Sequence, residues 1–162
     1  PDRRVLDRGS PVSDVASDIW DGIEATYDAD TVAGGLKNTA SAAYVPTFLR
    51  EDDAQNRNRQ WPRILVRIAC APEEAFDGIT HVPFVVTFEL FTHYPRGHTD
   101  QNAVLDRLRT KYHRTFSIAD TGSWTFTNML FQRIVQANLV GGDGVPNELK
   151  VVVPMRGYAR EV

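Results

Sequence analysis

Two histidines and an aspartate surround a short turn in the middle of the chain. His93 and His98 bracket the segment YPRG, and Asp100 follows two residues later. Imidazole and carboxylate groups are what a small hydrolase or a metal site would use. However, the sequence has no HxxxH pair on a helix, no cysteine pair and no second carboxylate at ligand spacing. We therefore predict no metal, and we keep a small hydrolase or ligand-binding domain using these three residues as an alternative.

The other reactive groups lack the neighbours that catalysis requires. Cys70, the single cysteine, lies in the apolar run ILVRIACA, and we expect a buried, inert thiol. No serine stands in a Gly-x-Ser-x-Gly turn, and the glycine runs at residues 34–35 and 141–144 lack the lysine of a phosphate loop. The sequence therefore predicts neither an enzyme nor a cofactor.

Size and charge narrow the class of protein further. The 162 residues predict one domain over residues 13–162, preceded by an extended, charged arm at residues 1–12. With 18 Lys and Arg against 21 Asp and Glu, the net charge of -3 argues against a protein that coats nucleic acid. No apolar segment reaches the roughly 20 residues that span a bilayer, and the N-terminal residues lack the apolar core of a signal peptide. We expect a soluble protein that is not exported.

Hydrophobic periodicity predicts two helices and several strands. One helix is capped by Ser13 or Asp14, and a second helix begins at Thr99 or Asp100. Residues 62–71 and 82–93 alternate as strands do and are joined by a hairpin-compatible linker, EEAFDGIT, so we expect them to pair antiparallel. Residues 43–49 form a further predicted strand. The fold class is therefore α+β: an antiparallel or mixed sheet of about five strands with two helices on one face.

The segment at residues 123–140 fits two kinds of element. Leu130 and Ile134 have helical spacing, whereas the frequent Thr, Phe, Val and Ile residues favour a strand. The glycine-rich turn GGDG that follows is typical of a hairpin. We therefore favour a strand that pairs with residues 147–159.

That last strand has an unusual pattern. Val151, Val152 and Val153 are consecutive, so both of its faces are apolar, and Pro154 then removes a hydrogen-bond donor. Proline in a sheet belongs on an edge strand or at a bulge. The sequence therefore predicts an apolar edge strand whose second face needs a cover.

Other features fit either a structural role or an interface. The segment REDDAQNRNRQ, residues 50–60, is a solvated loop or a functional one. Trp61 and Trp124 stand at junctions between loops and strands, where they either close the ends of the core or anchor an interface.

Taken in order, these elements resemble the tail terminator or tail completion (neck) proteins of long-tailed bacteriophages. The resemblance is carried by the helix VASDIWDGIEATY, the strands AYVPTFL, WPRILVRIA and FVVTFELFTHYP, the helix DQNAVLDRLRTKYH, and a last strand that bears Arg and Tyr, VVVPMRGYAR. It spans essentially the whole predicted domain and is one of element order. The segment between residues 120 and 159 is longer than in short members of the family.

The resemblance implies a structural virion protein. Such a subunit forms a hexameric ring at the head-proximal end of the tail tube, stops tube polymerisation and joins the tail to the neck. Its partners are copies of itself, the tail tube protein and a neck or head-completion protein, and DNA passes through the lumen without specific binding. It is assembled in the host cytoplasm and resides at the tail–neck junction of the virion. A head-completion or head–tail adaptor protein of the connector is the alternative within this class.

The residues expected at contacts with other subunits or partners come from the charged loop, the two tryptophans and the last strand. They are Arg50, Glu51, Asp52, Asp53, Trp61, Trp124, Val152, Pro154, Arg156 and Tyr158.

Overall fold

A mixed sheet with two helices forms the body of the molecule. The computed structural model describes residues 11–51, 60–93, 96–114, 124–127, 129–131, 135–137 and 148–162. The helices of this part are α1 (Pro11–Ala29) and α2 (Gly97–Tyr112). Its strands are β1 (Thr47–Arg50), β2 (Arg63–Cys70), β3 (Glu74–Phe76), β4 (Ile79–His93), β5 (Trp124–Phe126), β6 (Leu130–Phe131), β7 (Val135–Ala137) and β8 (Glu148–Glu161). The predicted α+β class is confirmed.

The two longest strands form the centre of the sheet. β4 and β8 pair antiparallel from His81 with Arg160 to His93 with Glu148, and the strand order is β1-β2-β4-β8-β5. β2 pairs antiparallel with β4, as predicted, and β1 pairs parallel with β2. β1 is shorter than the predicted strand at residues 43–49 and begins only after Pro46.

Both helices pack on one face of this sheet, which we name the proximal face. α1 contributes Val15, Ile19 and Ile23 to the core, and α2 contributes Val104, Leu108 and Tyr112 at helical spacing. These side chains meet alternate residues of the central strands, among them Ile64, Val66, Phe84, Val86, Phe88, Leu90, Val151, Val153 and Met155. The strands bury every second residue and each helix buries one stripe, so these two apolar surfaces face each other in the core.

Both helices begin earlier than the sequence predicts. α1 begins at Pro11, so Ser13 and Asp14 lie inside it. Proline is favoured in the first turn of a helix because it has no N–H group to leave unpaired. α2 begins at Gly97, after Arg96, and no side chain caps it by a hydrogen bond. The cap assignments to Thr99 and Asp100 were therefore wrong.

The predicted hairpin linker contains a strand of its own. β3 pairs with the first residues of β4, and the turn between them consists of Asp77 and Gly78. Both residues have positive φ, 50° and 74°, as a type I′ turn requires. The hairpin therefore extends the sheet beyond the end of β2.

The segment at residues 123–140 contains strands, but not one continuous strand. β5, β6 and β7 each pair antiparallel with β8. β8 therefore lies inside the sheet, and the prediction of an edge strand was wrong. Pro154 lies between the residues that pair with β6 and those that pair with β7, so no described partner on that side needs its missing donor.

Candidate assembly surface

The second face of the sheet, which we name the distal face, lies opposite the two helices. It is formed by the alternate residues of β2, β4 and β8 that point away from the core. The register places Leu65, Glu89 and Val152 in one row across the three strands. Val152 is half-buried, so the second apolar face of the VVV run does belong to this surface.

The middle of the distal face is charged. Glu89, only 7% exposed, forms ion pairs with Arg67 at 3.0 Å and Lys150 at 3.7 Å. Arg67 also pairs with Glu51 at 3.3 Å, which connects the end of β1 to this group. A buried carboxylate is tolerated because two cations stand beside it. The distal face is therefore charged in its middle and not apolar throughout.

One end of the distal face carries an aromatic and ionic cluster. The buried carboxylate of Glu148 accepts hydrogen bonds from Trp61 Nε1 at 3.1 Å and from Arg63 Nη2 at 3.2 Å. The Arg63 guanidinium lies 4.4 Å from the Phe91 ring centre, and the Trp61 ring lies 5.0 Å from that of His93. These contacts join the beginning of β2 to the end of β4 and the beginning of β8. Trp61 is thus held by intramolecular contacts, which favours its structural role.

The other end of the distal face is a shallow groove of small and apolar residues. Its volume is about 360 Å³. The register brings Ala69, Val85 and Arg156 together in one row, and Pro83 and Tyr158 in the next row. The full lining is Ala69, Cys70, Ala71, Pro83, Phe84, Val85, Arg156, Gly157 and Tyr158. Arg156 is exposed and Tyr158 is 53% exposed, so both can contact another molecule.

The β3–β4 hairpin extends from the same end of the sheet. All three residues of β3 are exposed, and Phe76 is 71% exposed. Glu73, Glu74 and Asp77 surround it with negative charge. An aromatic side chain so far out of the core is typical of an interface residue. The sequence analysis did not select Phe76, although the Asp-Gly pair beside it is a strong hairpin signal.

The structure separates the predicted contact residues into several groups. Arg156 and Tyr158 lie together on the exposed end of β8, whereas Val152 and Pro154 are half-buried further along that strand. Trp124 is 5% exposed and belongs to the core, which favours the alternative that it closes the end of the core. Arg50 and Glu51 lie at and just after the end of β1, and the predicted residues Asp52 and Asp53 lie outside the described residues.

The histidine turn is not organised as a catalytic site in the described residues. His93 packs against Trp61, His98 is exposed in the first turn of α2, and Asp100 pairs with Arg96 at 3.4 Å. Within the described part of the chain, no group of three or more His, Cys, Asp and Glu residues could hold a metal ion. Burial raises the pKa of the half-buried Cys70 thiol, which disfavours the reactive thiolate.

None of the helices that the structure describes is long and apolar enough to cross a membrane.

A comparison with solved structures finds a similar fold in a chain of a virion particle. A chain in the solved structure of the virion of a native gene transfer agent (GTA) particle superimposes with a TM-score of 0.59. The match covers 93% of this chain and 98% of that chain at 12% sequence identity. No family model matches the chain, and no curated protein matches it. The likeness therefore establishes a shared fold over nearly the full length of both chains.

Proposed function

We propose that this protein is a structural component of a phage-like virion and not an enzyme. The observation that carries this proposal is the fold shared with a chain of a gene transfer agent virion over nearly the whole of both chains. This is stronger support than an isolated motif would be, because the likeness covers 93% of this chain and 98% of that chain. The distal face supports it further, since its exposed Arg156, Tyr158 and Phe76 suit contacts with other proteins.

Within the virion, we propose the role of tail terminator. A hexameric ring of this subunit sits at the head-proximal end of the tail tube, at the tail–neck junction, and stops tube polymerisation. Its partners are the tail tube protein on one side and a neck or head-completion protein on the other. The element order that resembles the tail terminator family supports this role. The modest negative charge of the chain also suits a ring through which DNA passes without being gripped.

The alternative within this class is a head-completion or head–tail adaptor protein, which has a different partner. It would bind on the portal side of the connector and would not bind the end of a tail tube. A small hydrolase that uses His93, His98 and Asp100 has less support, because Asp100 pairs with Arg96 and His93 packs on Trp61.

The test is the mass of the purified protein by light scattering, over a dilution series and with purified tail tubes or portal assemblies added. A terminator forms a closed ring of about six subunits, alone or on tubes, and caps growing tubes at a fixed length in electron micrographs. Binding to portals without binding to tubes would contradict the terminator role and support the adaptor. A strict monomer that ignores both would contradict a virion role.

A further inference from the structure

The exposed hairpin and the groove at the same end of the sheet have complementary properties. The hairpin presents one large apolar side chain, Phe76, surrounded by Glu73, Glu74 and Asp77. The groove presents small apolar residues beside Arg156, and no acidic residue is among those that line it. The next outward-facing residue along β8 beyond Tyr158 is the exposed Arg160. The hairpin supplies an apolar ring and negative charge, and the groove supplies apolar space and positive charge.

We propose that the β3–β4 hairpin of one subunit docks into the distal-face groove of the next subunit, with Phe76 inserted between Val85 and Tyr158. This contact joins neighbouring copies head to tail, and as a ring contact it rests on the proposed function. A heterologous contact of this kind closes into a ring when the rotation between subunits permits it.

The size of the groove fits the side chain. A buried phenylalanine removes about 150–250 Å² of surface from water, and a groove of about 360 Å³ accommodates one aromatic ring with part of the strand that carries it. Ala69 and Ala71 leave the space open because their side chains are small. Tyr158 supplies an aromatic wall against which a second ring can pack edge to face.

The charges favour the same pairing. Glu73 and Glu74 of the hairpin face Arg156 and Arg160 at the groove in the docked arrangement. Complementary charges at the rim of an interface increase the association rate and exclude wrong partners. The same charges make the contact sensitive to salt.

The hairpin cannot reach the groove of its own subunit without breaking its strand pairing. Phe76 pairs with Ile79 in the register of β3 and β4, and the groove begins four residues further along β4, at Pro83. Four strand residues span about 13 Å. All side chains of β3 are exposed, so the hairpin of one chain does not fill the groove of the same chain.

The first test exchanges the charges. The variants Glu73→Lys/Glu74→Lys and Arg156→Glu/Arg160→Glu each place like charges at the contact, so we expect each to raise the concentration needed for ring formation by at least about tenfold. The variant with all four substitutions restores opposite charges and is expected to restore ring formation. Asp21→Lys/Glu24→Lys, on the exposed side of α1, changes the net charge as much as Glu73→Lys/Glu74→Lys does and serves as the control for that variant.

The second test uses a cysteine placed on the distal side of the groove, at the exposed Ala69, in a chain whose native Cys70 is replaced by serine. Phe76→Cys/Ala69→Cys/Cys70→Ser with a short bismaleimide is expected to give covalent multimers larger than a dimer on a denaturing gel. Phe76→Cys/Cys70→Ser, which has one cysteine, and Val32→Cys/Ala69→Cys/Cys70→Ser, in which position 32 is exposed on a distant loop, should give none. A product that stops at the dimer would overturn the head-to-tail arrangement.

The outcomes of these tests distinguish a wrong hairpin contact from a wrong terminator role. If wild-type rings form on tubes and the charge variants assemble like wild type, the hairpin contact is wrong although the terminator role stands. If the wild-type protein never forms a ring, the terminator role itself fails.

Discussion

Asp30 has no exposed side-chain surface, although it follows a helix at the start of a loop. Its carboxylate accepts hydrogen bonds from Arg107 Nε at 2.9 Å and from the Leu36 backbone N–H at 2.8 Å, and it forms an ion pair with Lys111 at 3.4 Å. One residue therefore ties the loop after α1 to helix α2. Burial alone would raise the pKa of this carboxyl, but the hydrogen bonds from Arg107 and Leu36 outweigh burial and lower it.

We expect Asp30→Asn to lower the free energy of unfolding by about 3 kcal/mol at neutral pH, because Arg107 loses the partner of a largely buried ion pair. Urea denaturation measures this difference. Asp28→Asn is the matched control: it removes the pair with Lys37, in which both side chains are about half exposed, and it should cost less than about 1 kcal/mol. Equal costs for the two variants would show that burial of Asp30 is unimportant.

The ion pair between Asp30 and Arg107 should also make the free energy of unfolding depend on pH. Because the pKa of Asp30 in the folded protein lies below its ordinary value of 3.8, the unfolded chain takes up the proton first as the pH falls. The stability that the pair contributes is thus fully present above about pH 5 and is lost as the pH falls through 3.8 toward the lowered pKa. The difference between wild type and Asp30→Asn should shrink over that interval. A difference that stays constant into strong acid would contradict the assignment.

The central pair of strands depends on one glycine. A Cβ atom on Gly157 of β8 would lie 2.5 Å from Cζ of Phe84 on β4, and Phe84 is 2% exposed, so its ring has little room to move. We expect Gly157→Ala to cost about 1–3 kcal/mol of stability through overpacking. Phe84→Leu removes the obstructing ring. The double variant should therefore be more stable than the sum of the two single variants predicts, and simple additivity in urea denaturation would contradict this account.

Residue patterns within one segment predict helices and strands well, but they do not predict which of these elements contact one another. The alternation in β2 and β4 is a local signal, and the structure agrees with it. The predicted inward stripe of α2 is local too, and its members are buried except for the half-buried Leu105: Val104, Leu105, Leu108 and Tyr112. The position of β8 inside the sheet depends on partners elsewhere in the chain, and no pattern in VVVPM contains that information. The bond between Trp61 and Glu148 joins residues 87 positions apart. β3 is too short and too exposed to show a period, so only its Asp-Gly turn indicated it.

The position of Val152 on β8 changes what a charge there would do. The valine pattern alone predicts that Val152→Asp leaves the subunit soluble and blocks assembly. In the structure, the register places Val152 opposite the buried Glu89. We therefore expect Val152→Asp to destabilise the fold by like-charge repulsion. Val152→Lys places a cation there instead, so it should keep the fold and test assembly alone. Equal melting temperatures for the two variants would show that the charge of Glu89 does not affect a charged residue at position 152.

The molecule as a whole has two different regions on its distal face. The groove and the hairpin lie at one end of the sheet, where we place the contact between copies. Glu51 lies away from them, beside Arg67 in the charged middle of the face. In a ring whose subunits are joined through hairpins and grooves, Glu51 is therefore left for a different partner.

We expect Glu51→Ala/Asp52→Ala/Asp53→Ala to weaken binding to tail tubes while leaving the fold and the ring intact. The pair between Glu51 and Arg67 is about half exposed on both sides, so its loss should cost at most about 1 kcal/mol, and Arg67 keeps its contact with Glu89. Cosedimentation with tubes measures binding, and thermal unfolding and light scattering measure the fold and the ring. Asp21→Ala/Glu24→Ala/Asp106→Ala removes three exposed helix acids and controls for net charge. A large loss of thermal stability, or loss of the ring together with tube binding, would place residues 51–53 in the subunit or its ring contact and not at the tube.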